Sequence, residues 1–159
     1  MAQGDILKES GLIVETFTMK ASTDCTKGLL YCDDGSGGGL VPATAALAAN
    51  NKVVMALETK VYATDTANGV AHTVPCVVRG NVVAAKVSGS GLAYVNSKLM
   101  ISGTAGQITK FVKGTVSQAN TFATATDQTA IDTNIGIVGY ATKLSVDADT
   151  VQEMWLGEP

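Results

Sequence analysis

The sequence predicts a mainly β domain of the barrel or sandwich type, with one short helix. Three observations predict this fold class: short aliphatic runs recur along the chain, clusters of Gly, Asn, Asp and Ser separate them, and only one segment has a helical composition. A layered βαβ fold would need a helix after nearly every strand. At 159 residues the chain suits one domain and is too short for two independent cores.

The predicted strands are short runs of aliphatic and aromatic residues, whose side chains suit the surface of a pleated sheet. Residues that favour turns lie on both sides of each run. About eight to ten strands are expected. They lie at residues 12–19, 29–32, 53–62, 74–78, 82–87, 92–95, 99–101, 108–112, 135–140 and 151–156.

The clearest predicted hairpin joins residues 74–78 to residues 82–87. Gly80 and Asn81 lie between these runs and readily adopt positive φ, which a tight hairpin turn requires. Pro75 cannot donate a ladder hydrogen bond, so we expect it at a strand start or on a sheet edge.

The remaining segments are predicted to be one helix and three loops. Pro42 precedes the Ala-rich residues 43–50, and this pattern predicts a helix because Pro favours the first turn and Ala is the best helix former. Residues 33–39 combine two carboxylates with four glycines and are predicted to form a flexible loop. Residues 64–72 contain an Asn-Gly turn, and the Thr-rich residues 115–134 predict a long loop.

The composition excludes several classes of partner. Hydrophobic residues make up 46% of the chain but aromatic residues only 5%, so the core is expected to consist of small aliphatic side chains, without a deep ligand pocket. The net charge is −3 and the basic residues are scattered, which argues against nucleic acid. No apolar run has the length of a membrane helix or follows a basic start as in a signal peptide, so we expect synthesis in the cytoplasm.

The cysteines and the single histidine do not form a known reactive pattern. Cys25, Cys32 and Cys76 are odd in number and predict free, partly buried thiols rather than a disulfide framework or a zinc site. His72 lies in a polar segment without a nucleophile-turn motif, so a surface histidine is expected.

The glycine-rich loop after residue 32 resembles a nucleotide-binding or calcium-binding loop only superficially. Asp33 and Asp34 would repel phosphate, and Pro42 starts the predicted helix too far from the glycines. The terminal Glu of a calcium loop is also missing. The sequence therefore predicts no enzyme, no catalytic residue, no cofactor, no metal and no small-molecule substrate.

The order of structural motifs resembles that of the head decoration, or capsid cement, proteins of tailed viruses with the lambda-type decoration fold. The shared motifs are an early GLL strand with an Ala-rich stretch, a V-x-G hairpin, a Gly-rich turn before L-x-Y-V, a closing I-V-G-Y-A and a final V-x-x-x-W-L. They occupy residues 28–50, 77–83, 89–95, 137–141 and 151–156. The resemblance covers about three-quarters of the chain, and its motifs are made of structural glycines and strand patterns.

The resemblance implies a fold, a partner and a location. The fold would be a small β-barrel or β-tulip, with an N-terminal arm and first strand at residues 1–27 and a β-rich decoration domain at residues 28–159. The protein would form a homotrimer that binds the major capsid protein at threefold or quasi-threefold positions on the outer surface of the virion. The chain would have no nucleic-acid or membrane partner.

The N-terminal arm is the predicted capsid-binding element. Its apolar residues would act as anchors on the capsid. Modest contacts would be sufficient, because a trimer that touches several capsid subunits converts them into high avidity. The alternative function is a self-assembling β-rich tail, fibre or surface-layer subunit, which would polymerise without a capsid. The predicted anchors are Ile6, Leu7, Leu12 and Ile13.

Overall fold

The fold is described here from a computed structural model at residues 2–48, 51–89, 93–111 and 137–157. The described residues form nine strands and two short helices. The Thr-rich segment 115–134 lies outside these ranges. In chain order the elements are β1 (Ile6–Thr18), β2 (Leu30–Asp33), β3 (Leu40–Pro42), α1 (Ala45–Ala48), β4 (Val54–Ala56), α2 (Tyr62–Ala67), β5 (Thr73–Ala85), β6 (Lys98–Ile101), β7 (Ile108–Lys110), β8 (Ile137–Ala141) and β9 (Val151–Leu156).

All nine strands belong to one antiparallel sheet that curls into a half-barrel. Its order is β3-β2-β4-β5-β9-β8-β6-β7, and β1 pairs with β5 outside this path. The curl brings β7, at the end of the path, back towards the end of β5: Lys86 and Ile108 form a parallel bridge, and the Val87 amide donates to the Ile108 carbonyl at 3.1 Å. The predicted mainly β, barrel-like fold class is therefore confirmed.

Two apolar clusters, one on each side of the sheet around β5, form the core. As the composition predicts, their fully buried side chains are mostly small and aliphatic, and Tyr31 is the only aromatic among the buried described residues. The larger cluster contains Leu30, Cys32, Ala43, Ala48, Met55, Val77, Val82, Ala84, Ala93, Leu99, Ile101, Ile108, Val138, Ala141, Met154 and Leu156. The smaller cluster contains Met19, Cys25, Tyr31, Leu40, Val54, Ala56, Val74, Cys76 and Val78.

The hairpin predicted at Gly80 and Asn81 is wrong, because β5 runs without a turn through both positions. Gly80 has φ +148, and a Cβ at this position would lie 2.7 Å from Cδ1 of Leu12. A glycine inside a strand often marks a bulge or a close approach of another chain segment. Here it lets β1 cross close to β5.

The N-terminal half of the chain shows further differences from the predicted elements. β1 begins at Ile6, six residues before the predicted first strand. The helix predicted at residues 43–50 is present as α1, but Pro42 ends β3 instead of starting the helix. The first residues of the loop predicted at residues 64–72 are helical, because α2 extends to Ala67.

Contacts from distant residues hold α2 in place. Its N-cap residue, Val61, provides no side-chain cap, and the Asp24 carboxylate instead accepts a hydrogen bond from the Tyr62 amide at 2.9 Å. At the other end, Gly69 has φ +63 and provides the left-handed residue that commonly ends a helix. No residue of α2 is fully buried, so polar contacts account for much of its attachment.

Candidate interaction surface

Strand β1 is the candidate interaction surface. It pairs with β5 from Ile6, opposite Val82, to Thr18, opposite Thr73, with register irregularities in between. Within the described ranges no other strand pairs with β1. Among the described strands, the outer edge of β1 thus has no partner, and an edge of this kind can pair with an extended polypeptide.

The structure places all four predicted anchors on β1 but with different exposure. Ile6 is 38% exposed and Ile13 is 45% exposed, whereas Leu7 and Leu12 are half-buried. The Leu12 side chain packs against the larger core cluster and lies close to Gly80. Leu12 therefore contributes to the packing of this chain, and Ile6 and Ile13 face solvent.

Val14 is a further exposed apolar residue that the sequence patterns did not single out. It is 43% exposed and directly follows Ile13. Successive strand residues point to opposite faces, and residues 13–16 are all exposed, so both faces of this stretch contact solvent. The only sequence signal for Val14 was its place in the apolar run that starts at Leu12.

The residues at and just before the start of β1 are attached to β5 through the backbone of Val83. The Gly4 amide donates to the Val83 carbonyl at 2.7 Å, and the Val83 amide donates to the Asp5 carbonyl at 2.9 Å. Further along, a Cβ at Gly11 would lie 3.2 Å from the ring of Trp155, so β1 passes directly over this indole. Residues 4–11 thus lie along the sheet.

A second exposed apolar patch lies at a different place in the fold. Its residues are joined by the antiparallel bridge between Ala93 and Ser145. The ammonium group of Lys110 lies 5.7 Å from the centre of the Tyr94 ring, which belongs to the patch. The patch consists of Tyr94, Val95, Leu144 and Val146.

The glycine-rich loop connects β2 to β3. The carboxylates of Asp33 and Asp34 accept hydrogen bonds from the loop backbone, and Asp34 also pairs with Lys20. The Gly35 amide donates to Asp33 at 2.6 Å, and the Ser36 amide donates to Asp34 at 2.9 Å. Lys20 forms an ion pair with Asp34, and these contacts hold the pKa of Asp34 well below its usual range. Across the described residues, no group of three or more His, Cys, Asp and Glu is arranged to bind a metal ion.

His72 is not the surface histidine that the sequence predicted, because its side chain is only 8% exposed. Its Nδ1 lies 2.6 Å from the Asp65 carboxylate and its Nε2 lies 2.7 Å from the Thr23 carbonyl oxygen. The ring of Tyr62 meets the imidazole edge-on at 5.3 Å between ring centres. Both ring nitrogens are therefore engaged inside the protein.

All three cysteines are free and buried, which confirms the predicted free thiols. Burial raises the pKa of Cys25 to about 11 and that of Cys76 to about 12. Burial also raises the pKa of Cys32. A raised pKa keeps a thiol protonated and therefore unreactive at neutral pH.

A depression on the surface has a volume of about 570 Å³. Val53, Val78 and Val138 form its apolar wall, and Lys52 and Tyr140 contribute polar groups. No carboxylate, histidine or cysteine is among the described residues that line it.

Comparisons of the chain with protein-family models, curated proteins and solved structures found no match. In the part of the chain that the structure describes, no helix is long and apolar enough to cross a membrane.

Proposed function

We propose that this chain is a structural virion protein that binds the outside of a viral capsid and stabilises the shell. It acts as a homotrimer on the major capsid protein at threefold or quasi-threefold positions. The observation that carries this proposal is β1, a long strand that carries exposed apolar residues and whose outer edge pairs with no other strand in the described ranges. The order of glycine and strand motifs along the chain gives additional support.

Burial of β1 on a partner would provide the binding energy. Full burial of a Val or Ile side chain contributes about 1.5–3 kcal/mol, so covering the exposed parts of Ile13 and Val14 is worth on the order of 1 kcal/mol each. Such a contact is weak in one subunit. Three linked copies engage neighbouring sites at high effective concentration, and the same contact then holds the shell together.

The experiment compares two matched double variants on shells assembled from the major capsid protein that accompanies this chain. Ile13→Thr with Val14→Thr removes apolar surface from β1 and retains β-branched side chains. Val61→Thr with Val70→Thr removes apolar surface next to α2, where the two valines are 44% and 52% exposed. Occupancy of the shells is measured by co-sedimentation over a range of protein concentrations.

The β1 double variant is expected to bind at least about tenfold more weakly than the wild type, while the α2-side variant binds normally. Circular dichroism and the fluorescence of Trp155 establish that both variants are folded. Equal occupancy by the wild type and the β1 variant would rule out β1 as the capsid-binding element.

A further inference from the structure

His72 lies where three parts of the fold meet: α2, the turn at residues 20–25 and the end of the β1–β5 ladder. Its carbonyl oxygen accepts a hydrogen bond from the Met19 amide, so its backbone belongs to the ladder. Its imidazole contacts the Asp65 carboxylate of α2 and the Thr23 carbonyl of the turn. The side chain thus connects α2 to the turn at residues 20–25.

The chemistry of these two contacts determines the protonation state of the imidazole. A carboxylate and a backbone carbonyl can only accept hydrogen bonds. A neutral imidazole has a single N–H, so one of the two contacts would then place a nitrogen lone pair against an oxygen lone pair at less than 3 Å. Only the doubly protonated ring donates to both oxygens.

We propose that His72 is a pH-dependent clamp: its imidazolium form holds α2 against the turn at residues 20–25, and loss of one proton releases α2. The charged groups that act on the ring are Asp65, from α2, and Asp24, from the turn, and both are acidic. Tyr62 covers one edge of the ring.

The electrostatic environment agrees with this geometry. Burial by itself would lower the pKa of His72, but the hydrogen bonds to Asp65 and Thr23 and the negative charges of Asp65 and Asp24 outweigh burial and raise it. The imidazolium therefore persists to a higher pH than that of a free histidine.

The attachment of α2 is sensitive to the loss of this contact. A helix of six residues is unstable without tertiary support, and no residue of α2 is fully buried. Besides the clamp, Asp24 holds the first turn of α2 through the Tyr62 amide, and the antiparallel bridge between Cys25 and Lys60 holds the segment just before the helix. Release would free the segment around α2, including the exposed Val61 and Val70. This device does not depend on capsid binding.

Because His72 is the only histidine, nuclear magnetic resonance of the full chain can follow its titration without overlap. The imidazole nitrogen shifts are expected to show the doubly protonated ring at about pH 6 and a pKa above the ordinary value of about 6.5. Amide hydrogen exchange at residues 62–69 is expected to rise about tenfold above this pKa, after correction for intrinsic exchange, while β5 and β9 remain protected.

Two variants distinguish the direct contact between Asp65 and His72 from the effect of a nearby negative charge. Asp65→Asn removes the negative charge that is in direct contact with the ring, and it is expected to lower the pKa of His72 strongly and release α2 at neutral pH. Asp24→Asn removes a nearby charge but retains an oxygen that can accept from the Tyr62 amide, so it should lower the pKa less and leave α2 attached. A neutral ring at pH 6, or α2 exchange that is unchanged across the titration, would overturn the proposal.

Discussion

At the scale of single residues, Gly139 shows how closely the strands of the half-barrel approach each other. It lies in β8 opposite Leu99 of β6 and Leu156 of β9. A Cβ at this position would overlap the carbonyl oxygen of Trp155 and lie 2.6 Å from Cε of Met154. A backbone carbonyl in a paired strand cannot move aside cheaply, so only glycine fits.

Gly139→Ala is therefore expected to destabilise the fold by about 1–3 kcal/mol, the usual cost of overpacking a core. Gly103→Ala is the matched control, because nothing lies within 4 Å of a Cβ at this position in the β6–β7 connection. The control should change the free energy of unfolding by less than about 0.5 kcal/mol. Denaturant unfolding followed by Trp155 fluorescence measures both, and equal stability of the two variants would contradict the packing described for β8.

At the scale of secondary-structure elements, β5 organises the molecule because it pairs with β1, β4 and β9. Val74, Cys76 and Val78 face the smaller core cluster, whereas Val82 and Ala84 face the larger one. Even-numbered side chains of a regular strand stay on one face of the sheet, so the alternation of side chains along β5 must shift by one residue between residues 78 and 82. Gly80, with positive φ, lies at this change.

A double-mutant cycle tests the role of Gly80 in the crossing of β1. Gly80→Ala is expected to cost about 1–3 kcal/mol through backbone strain and contact with Leu12. If the contact contributes, Gly80→Ala together with Leu12→Ala should cost less than the sum of the two single changes, because the smaller side chain makes room. Strict additivity in urea unfolding would mean that backbone strain alone requires glycine.

The clamp on α2 predicts a specific dependence of stability on pH. The pKa of His72 is raised in the folded chain, so its contribution to stability is fully present below the unfolded pKa of about 6.5 and is lost as the pH rises through the folded pKa. The Tm of the wild type should therefore fall from about pH 6 to about pH 8 by more than the Tm of His72→Gln, which does not titrate in this range.

The buried thiols set the highest pH at which the two Tm values can be compared in this way. Burial raises the pKa of Cys25 to about 11 and of Cys76 to about 12, which adds a separate loss of stability at alkaline pH in both proteins. Parallel Tm curves for the wild type and His72→Gln below about pH 8 would show that the imidazolium does not stabilise the fold.

Local patterns predicted the strands better than they predicted the turns and the site. The apolar runs of β6 and β9 are unambiguous, and both strands are present where they were predicted. Gly80 was misread because the same residue serves tight turns and strand irregularities. α2 was missed because Asp24 and His72, which lie outside it in the chain, hold it in place.

The exposure of the predicted anchors could not be read from the sequence. The run from Leu12 to Val14 is equally apolar at each position, and only the pairing of β1 with β5 determines which side chains face inward. Leu12 faces the core, whereas Ile13 and Val14 do not. Non-local geometry thus separates structural residues from candidate contact residues within one short segment.

At the scale of the whole molecule, small aliphatic side chains fill two clusters around one curled sheet, and no other described strand pairs with the outer edge of β1. The same open edge would also serve a self-assembling tail, fibre or surface-layer subunit. The two functions differ in whether the purified chain polymerises alone or joins a preformed shell.

The most direct test is electron microscopy of preformed shells of the accompanying major capsid protein, imaged with and without the purified chain. The proposed function predicts added density on the outer surface at threefold or quasi-threefold positions, with β1 against the shell, and a chain that stays unpolymerised in solution. Shells that look identical with and without the chain, or filaments of the chain that form in their absence, would contradict it.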